Sequence, residues 1–166
     1  RRGRPEGARL QRAVADALQL PTRNGAPDYR ILRPGSGRRY PKKFAATYAV
    51  ETEPGISAIV YRLADAPLLS RPPREGKRAV LYLAHDSADA ELRDEPLIAE
   101  LINAEPTLPF FACDLRGLGE SKPTTGNYLS AYGSDYFYAA HGIMFDYPYV
   151  AQRTFDVLRL ADWLAA

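Results

Sequence analysis

Cysteine is almost absent from this chain of 166 residues. Cys113 stands alone, which excludes an internal disulfide and any metal site built from several cysteines. Long hydrophobic runs are absent too. No stretch approaches the roughly 20 apolar residues that a membrane span needs, and no membrane partner is expected. A secretory leader is not visible, because residues 1 to 20 are basic and amphipathic. The chain begins with Arg rather than Met, as expected of a processed or trimmed chain, so compartment stays open, secreted and periplasmic included.

Composition is that of a globular protein: 46% hydrophobic and 25% charged, with length enough for one domain and a core. The net charge of +2 conceals an asymmetry. Residues 1 to 43 hold twelve Lys/Arg against three Asp/Glu, or +9, and the remainder holds ten against seventeen, or −7. A basic arm suits nucleic acid or an acidic surface. Its basic residues are scattered and include no aromatic stacking run, which favours an arm lying on the chain's own acidic remainder. No nucleic-acid partner is expected.

Along the chain, "EGARLQRAVADAL" (6–18) predicts a short helix, with Leu10, Val14 and Leu18 at four-residue spacing and Pro21 ending the pattern. Residues 21 to 42 are rich in Pro, Gly and Arg and predict an extended connection. Two β-prone runs, 43 to 52 and 56 to 62, flank Glu53-Pro54-Gly55 and predict a hairpin, with Gly55 at positive φ in a type II turn. Residues 63 to 77, with Pro67, Pro72, Pro73 and Gly76, predict a loop. "RAVLYLA" (78–84) and "LPFFACD" (108–114) are continuously apolar, as for strands buried on both faces. Between them, 91 to 104 predicts a helix with Pro96 in its first turn. Residues 148 to 165 predict the clearest helix. One face holds Val150, Ala151, Phe155, Leu158, Ala161 and Ala165, widened by Val157, Leu160 and Leu164; Asp156 and Asp162 fall on the polar remainder. The order, a hairpin and then β-α-β-α, implies an α/β fold with helices on a mostly parallel sheet.

Sites in open α/β sheets form outside the carboxyl ends of the strands. That singles out "LAHDSAD" (83–89) and "DLRGLGES" (114–121). With the Leu20-Pro21 end of the leading helix, the hairpin "YAVETEPGISAIVYRL" and the closing "RTFDVLRLADWL", these segments resemble the N-terminal half of an α/β-hydrolase. The resemblance is to the acetyl-xylan-esterase and dienelactone-hydrolase-like branch. It divides the chain into a basic helix and arm, 1 to 42, and a half-hydrolase domain, 43 to 166.

What the resemblance implies is a serine ester hydrolase acting on a small-molecule or carbohydrate ester, without cofactor or metal. Ser attack and an acyl-enzyme would be its chemistry. Asp114, Arg116, Gly117, Gly119 and Ser121 correspond to a support turn beside the active site, with a purely structural loop as the favoured reading. His85, Asp86 and Ser87 correspond to the oxyanion loop. Asp86 stands where the family usually carries Gly, and a carboxylate opposes a developing oxyanion unless it turns away. No Gly-x-Ser-x-Gly elbow occurs in these residues. The Ser-Asp-His set is therefore expected downstream, in a C-terminal half of the same protein. No catalytic residue is expected in this chain, which should be inactive alone, with one edge of strand 78–84 unpaired. His141 and Asp146 form only a disfavoured relay. The alternatives are a peptidase of the same fold and a non-catalytic hydrolase-like binding module. Eight aromatics (Tyr128, Tyr132, Tyr136, Phe137, Tyr138, Phe145, Tyr147 and Tyr149) suit either sugar stacking or, as the favoured reading, an insert packed over the sheet edge.

Overall fold

The computed structural model describes residues 6–32, 38–67, 76–123 and 135–166. The chain divides into two compact units, Pro27–Lys122 and a second made of Arg1–Ala26 with Pro123–Ala166.

The first unit is a five-stranded sheet in the order β1-β2-β3-β5-β4. β1 is Tyr29–Leu32, β2 Phe44–Glu53, β3 Ile56–Ala64, β4 Val80–Leu83 and β5 Phe110–Asp114. The hairpin forms as the sequence predicts. Gly55 takes φ +77° after Pro54, and the strand register shifts between Glu51 and Glu53, a bulge at Thr52. β4 and β5 are parallel neighbours, with Val80 opposite Phe110 and Leu83 opposite Cys113. The α/β class is as expected, but a mostly parallel sheet is not. Three of the four pairings are antiparallel, because the hairpin meets β5 antiparallel and a further strand joins its far side. That strand, β1, lies within the stretch expected to be only an extended connection.

The helix expected over 91–104 is two helices, α2 (Ala88–Asp94) and α3 (Pro96–Ala104). The break falls at Glu95, which is extended (φ −89°, ψ 111°). Pro96 forces this, since its ring clashes with an α-helical residue before it. Pro96 itself then opens α3, as anticipated for a first-turn proline. Ala88, Leu92, Ile98 and Ile102 pack with Tyr61, Leu63, Phe110 and Ala112 in one apolar cluster on the sheet. β5 is buried along its whole length, whereas β4 is half-buried and Leu83 is 45% exposed. The expectation of burial on both faces holds for β5 alone. β5 has strands on both sides, and β4 is the last strand in the order.

In the second unit α1 spans Gly7–Ala17, near its expected bounds, with its apolar residues Leu10 and Val14 exposed. α4 (Tyr136–Met144) was not anticipated as a helix, and α5 spans Tyr149–Ala165. The buried side of α5 runs through Ala151, Phe155, Asp156, Arg159, Leu160 and Trp163. It is turned from the expected face: Val150, Ala161 and Ala165 are exposed, and Asp156 is fully buried. Tyr128 and Tyr132 of the aromatic cluster lie outside the described residues, while Tyr136, Phe137 and Tyr138 are partly exposed on α4. No helix among the described residues is long and apolar enough to cross a membrane.

Candidate active site

Two loops leave the carboxyl ends of the parallel strands, 84–87 after β4 and 115–121 after β5. A β-α-β crossover places both on the same edge, where open α/β sheets build their sites. All the residues singled out there are in the first unit, so their geometry is internal to it.

Asp114 closes β5 and is fully buried. Its Oδ1 accepts the N–H of Ala88 at 2.6 Å, and its Oδ2 accepts the N–H of Glu120 at 3.0 Å. One carboxylate thus joins the start of α2 to the 3-10 turn Gly119–Ser121. A backbone bond runs parallel to this joint, from the N–H of Gly119 to the carbonyl of Asp86 at 2.7 Å. Gly119 has φ +46°, and a Cβ on it would lie 2.2 Å from the Asp114 carboxyl atoms. Only glycine fits there. Gly117 also adopts a positive φ, +76°. Burial pushes the Asp114 carboxyl above the usual range, outweighing its two N–H donors, and the nearby Glu120 and Glu91 add to the rise.

Arg116 does not pair with Asp114. Its Nη2 reaches back to Glu53 Oε1, 2.5 Å away at the end of β2. Ser121 Oγ lies 3.3 Å from the carbonyl of Ser57 and 3.4 Å from that of Asp114, so the support turn is stitched to the hairpin as well. Asp89, in the first turn of α2, gathers Arg38, Tyr40 and Arg93, and Arg38 also lies 3.6 Å from Glu120.

His85, Asp86 and Ser87 are adjacent on the first loop, and their three N–H groups share one acceptor. They donate to Glu91 Oε1 at 2.9, 2.8 and 3.2 Å. The Tyr82 hydroxyl donates to Glu91 Oε2 at 2.8 Å. Burial raises the Glu91 carboxyl, but the N–H of Asp86, the Tyr82 hydroxyl and the N–H groups of His85 and Ser87 overcome it, and the net displacement is downward. Tyr82 is pushed up to about 12 by burial and by its bond to Glu91. The Asp86 side chain points to Lys122 as an exposed ion pair, which lowers its carboxyl. Ser87 caps α2, its Oγ accepting the Ala90 N–H at 3.4 Å.

Glu91 is the residue that sequence reasoning missed. The signal was present, since a Ser followed closely by Glu at a helix start is near the spacing of a capping box. His141 and Asp146, in the second unit, are not brought together as a relay. Asp146 accepts from Gln19, and the His141 ring lies 6.4 Å from that of Phe137. Among the described residues no group of three or more His, Cys, Asp or Glu side chains is placed to hold a metal ion.

No family model matches the chain, and no curated protein matches it. Among solved structures it is similar to a crystal structure from Bacteroides fragilis described as a "putative acetyl xylan esterase", with a TM-score of 0.61 and 13% sequence identity. The match covers 93% of this chain and 41% of that one. The shared feature is the fold. The chain thus shares the α/β fold of that structure and spans less than half its length.

Proposed function

We propose that this chain forms the hairpin and first parallel β-α-β segment of a serine ester hydrolase of the α/β-hydrolase fold, acting on a carbohydrate ester of the acetyl-xylan kind. In this reading the Ser-Asp-His set belongs to a C-terminal segment of the same protein outside these residues. The observation that carries it is the Asp114 joint, which fixes two loops as one body at the carboxyl edge of the parallel pair. Sites on such sheets are built at that edge, and catalysis needs their walls held to within a fraction of an ångström. The likeness of fold to an esterase-like structure, and the absence of a Gly-x-Ser-x-Gly from the sequence, agree with this division of labour.

The chemistry would be acyl transfer. A serine Oγ attacks the ester carbonyl while histidine takes its proton, the sugar hydroxyl leaves with that proton, and water then releases the acid. Residues of this chain would border the acyl group through loop 84–87 and brace it through Asp114, Arg116 and Ser121. Each donor to the oxyanion is worth about 3–4 kcal/mol. The N–H groups of His85, Asp86 and Ser87 are already engaged by Glu91. That engagement favours a second reading, a non-catalytic binding module built on the same fold.

Turnover of an acetylated xylo-oligosaccharide and of an aryl acetate by the full-length protein separates the two. The hydrolase reading expects turnover that survives Ser87→Ala and Ser121→Ala, and none from residues 1–166 alone. A full-length protein that binds the oligosaccharide without cleaving it supports the binding module.

A further inference from the structure

Five consecutive N–H groups, from Ala84 to Ala88, all have acceptors. Ala84 donates to the carbonyl of Cys113 at 3.2 Å and Ala88 to Asp114. The three between depend on Glu91. The His85-Asp86-Ser87 sequence contains no Pro to lock φ, and its other ties are the Gly119 N–H on the Asp86 carbonyl and the Ser87 cap. The carboxylate is itself anchored at two ends. Glu91 sits in α2 next to Leu92, which with Ala88 is buried in the core. Its second oxygen is held by Tyr82 of β4. A charged acceptor with this many donors and a fixed helix beneath it does not leave easily, because each charge-assisted bond is strong.

We propose that Glu91 is a positioning residue of the site. Its carboxylate sets the path of residues 85–87 and withholds their N–H groups from an acyl oxygen, so oxyanion donation falls to another part of the protein. The inference rests on the ester-hydrolase reading and adds to it a residue outside the loops that the sequence singles out.

Two readouts on the full-length protein test it. Amide hydrogen exchange at 85–87 reports whether the carboxylate holds the loop, whatever the activity. The kcat per fluorophosphonate-titratable serine reports whether the loop's path matters to the chemistry; counting only active sites removes any loss through unfolding. In Glu91→Ala, exchange at 85–87 should quicken and kcat should fall about 10- to 100-fold, with KM little changed. Glu91→Gln keeps an acceptor oxygen and should restore most of both. Faster hydrolysis by Glu91→Ala would overturn the proposal, making the carboxylate a plug on a working oxyanion hole. Unchanged exchange at 85–87, or unchanged kcat per site, would overturn it while leaving the hydrolase reading intact. A wild-type protein with no titratable serine and no turnover would remove the hydrolase reading, and the positioning role with it.

Discussion

The loops after β4 and β5 are each organised by one carboxylate, but the two carboxylates stand in opposite electrostatic positions. Glu91 is half-buried and collects the N–H groups of three successive residues plus the Tyr82 hydroxyl. Asp114 is fully buried and collects only two N–H groups, those of Ala88 and Glu120. In Glu91 the donors outweigh burial and the carboxyl is lowered; in Asp114 burial outweighs the donors and the carboxyl is raised. The number of donors set against the depth of burial decides the sign. The difference also separates their structural roles. Glu91 shapes a single loop from the helix that follows it, whereas Asp114 binds both loops into one piece.

Removing the joint should have the largest effect. Asp114→Ala leaves two N–H groups without acceptors, the one at Ala88 buried, and should cost about 2–5 kcal/mol in a urea melt. Amide exchange should quicken at Ala88 and Glu120 together. Gly119→Ala attacks the same joint from the other side. A Cβ 2.2 Å from the carboxyl, on a backbone with φ +46°, should cost about 2–3 kcal/mol. The cost should shrink in an Asp114→Ala background, where the obstructing carboxyl is gone; additive losses would show that the two residues are not one joint.

The acid side of the stability curve distinguishes the carboxylates further. Glu91 has a lowered folded value, so its contribution is present above the unfolded glutamate range and is lost as pH falls through the folded value. Asp114 has a raised value, so its charged form is penalised in the folded state, and that penalty eases as pH falls. Urea midpoints followed from neutral pH through the carboxylate range should therefore fall less steeply in Glu91→Gln than in the parent, and more steeply in Asp114→Asn. The smallest effect belongs to Asp86→Asn. It breaks only the exposed pair with Lys122, worth about 0–1 kcal/mol, and that difference should vanish at high salt.

Much of this architecture was legible because local chemistry and global fold agree. Pro54-Gly55 dictates its turn, and the apolar runs around Leu81 and Phe111 dictate adjacent parallel strands once a helix lies between them. The loop Asp114–Ser121 announces itself through two glycines, and both do take positive φ. What was not legible depends on tertiary context. β1 is four residues long, half-buried or exposed throughout, so no apolar alternation marks Tyr29–Leu32. The burial of Asp156 and Arg159 on α5 contradicts what charge alone suggests. The break at Glu95 follows from Pro96, although one helix was expected over 91–104. Glu91 falls between these cases: its spacing from Ser87 hints at a cap, but only folding shows that its carboxylate reaches back over three residues.

The most direct measurement is to label the full-length protein with a fluorophosphonate and map the modified peptide. The ester-hydrolase reading predicts one labelled serine, in a Gly-x-Ser-x-Gly segment outside residues 1–166, with Ser87 and Ser121 unmodified. Label on Ser87 or Ser121 would place the nucleophile in loops assigned here as walls and braces, and no label at all would contradict a serine hydrolase of any kind.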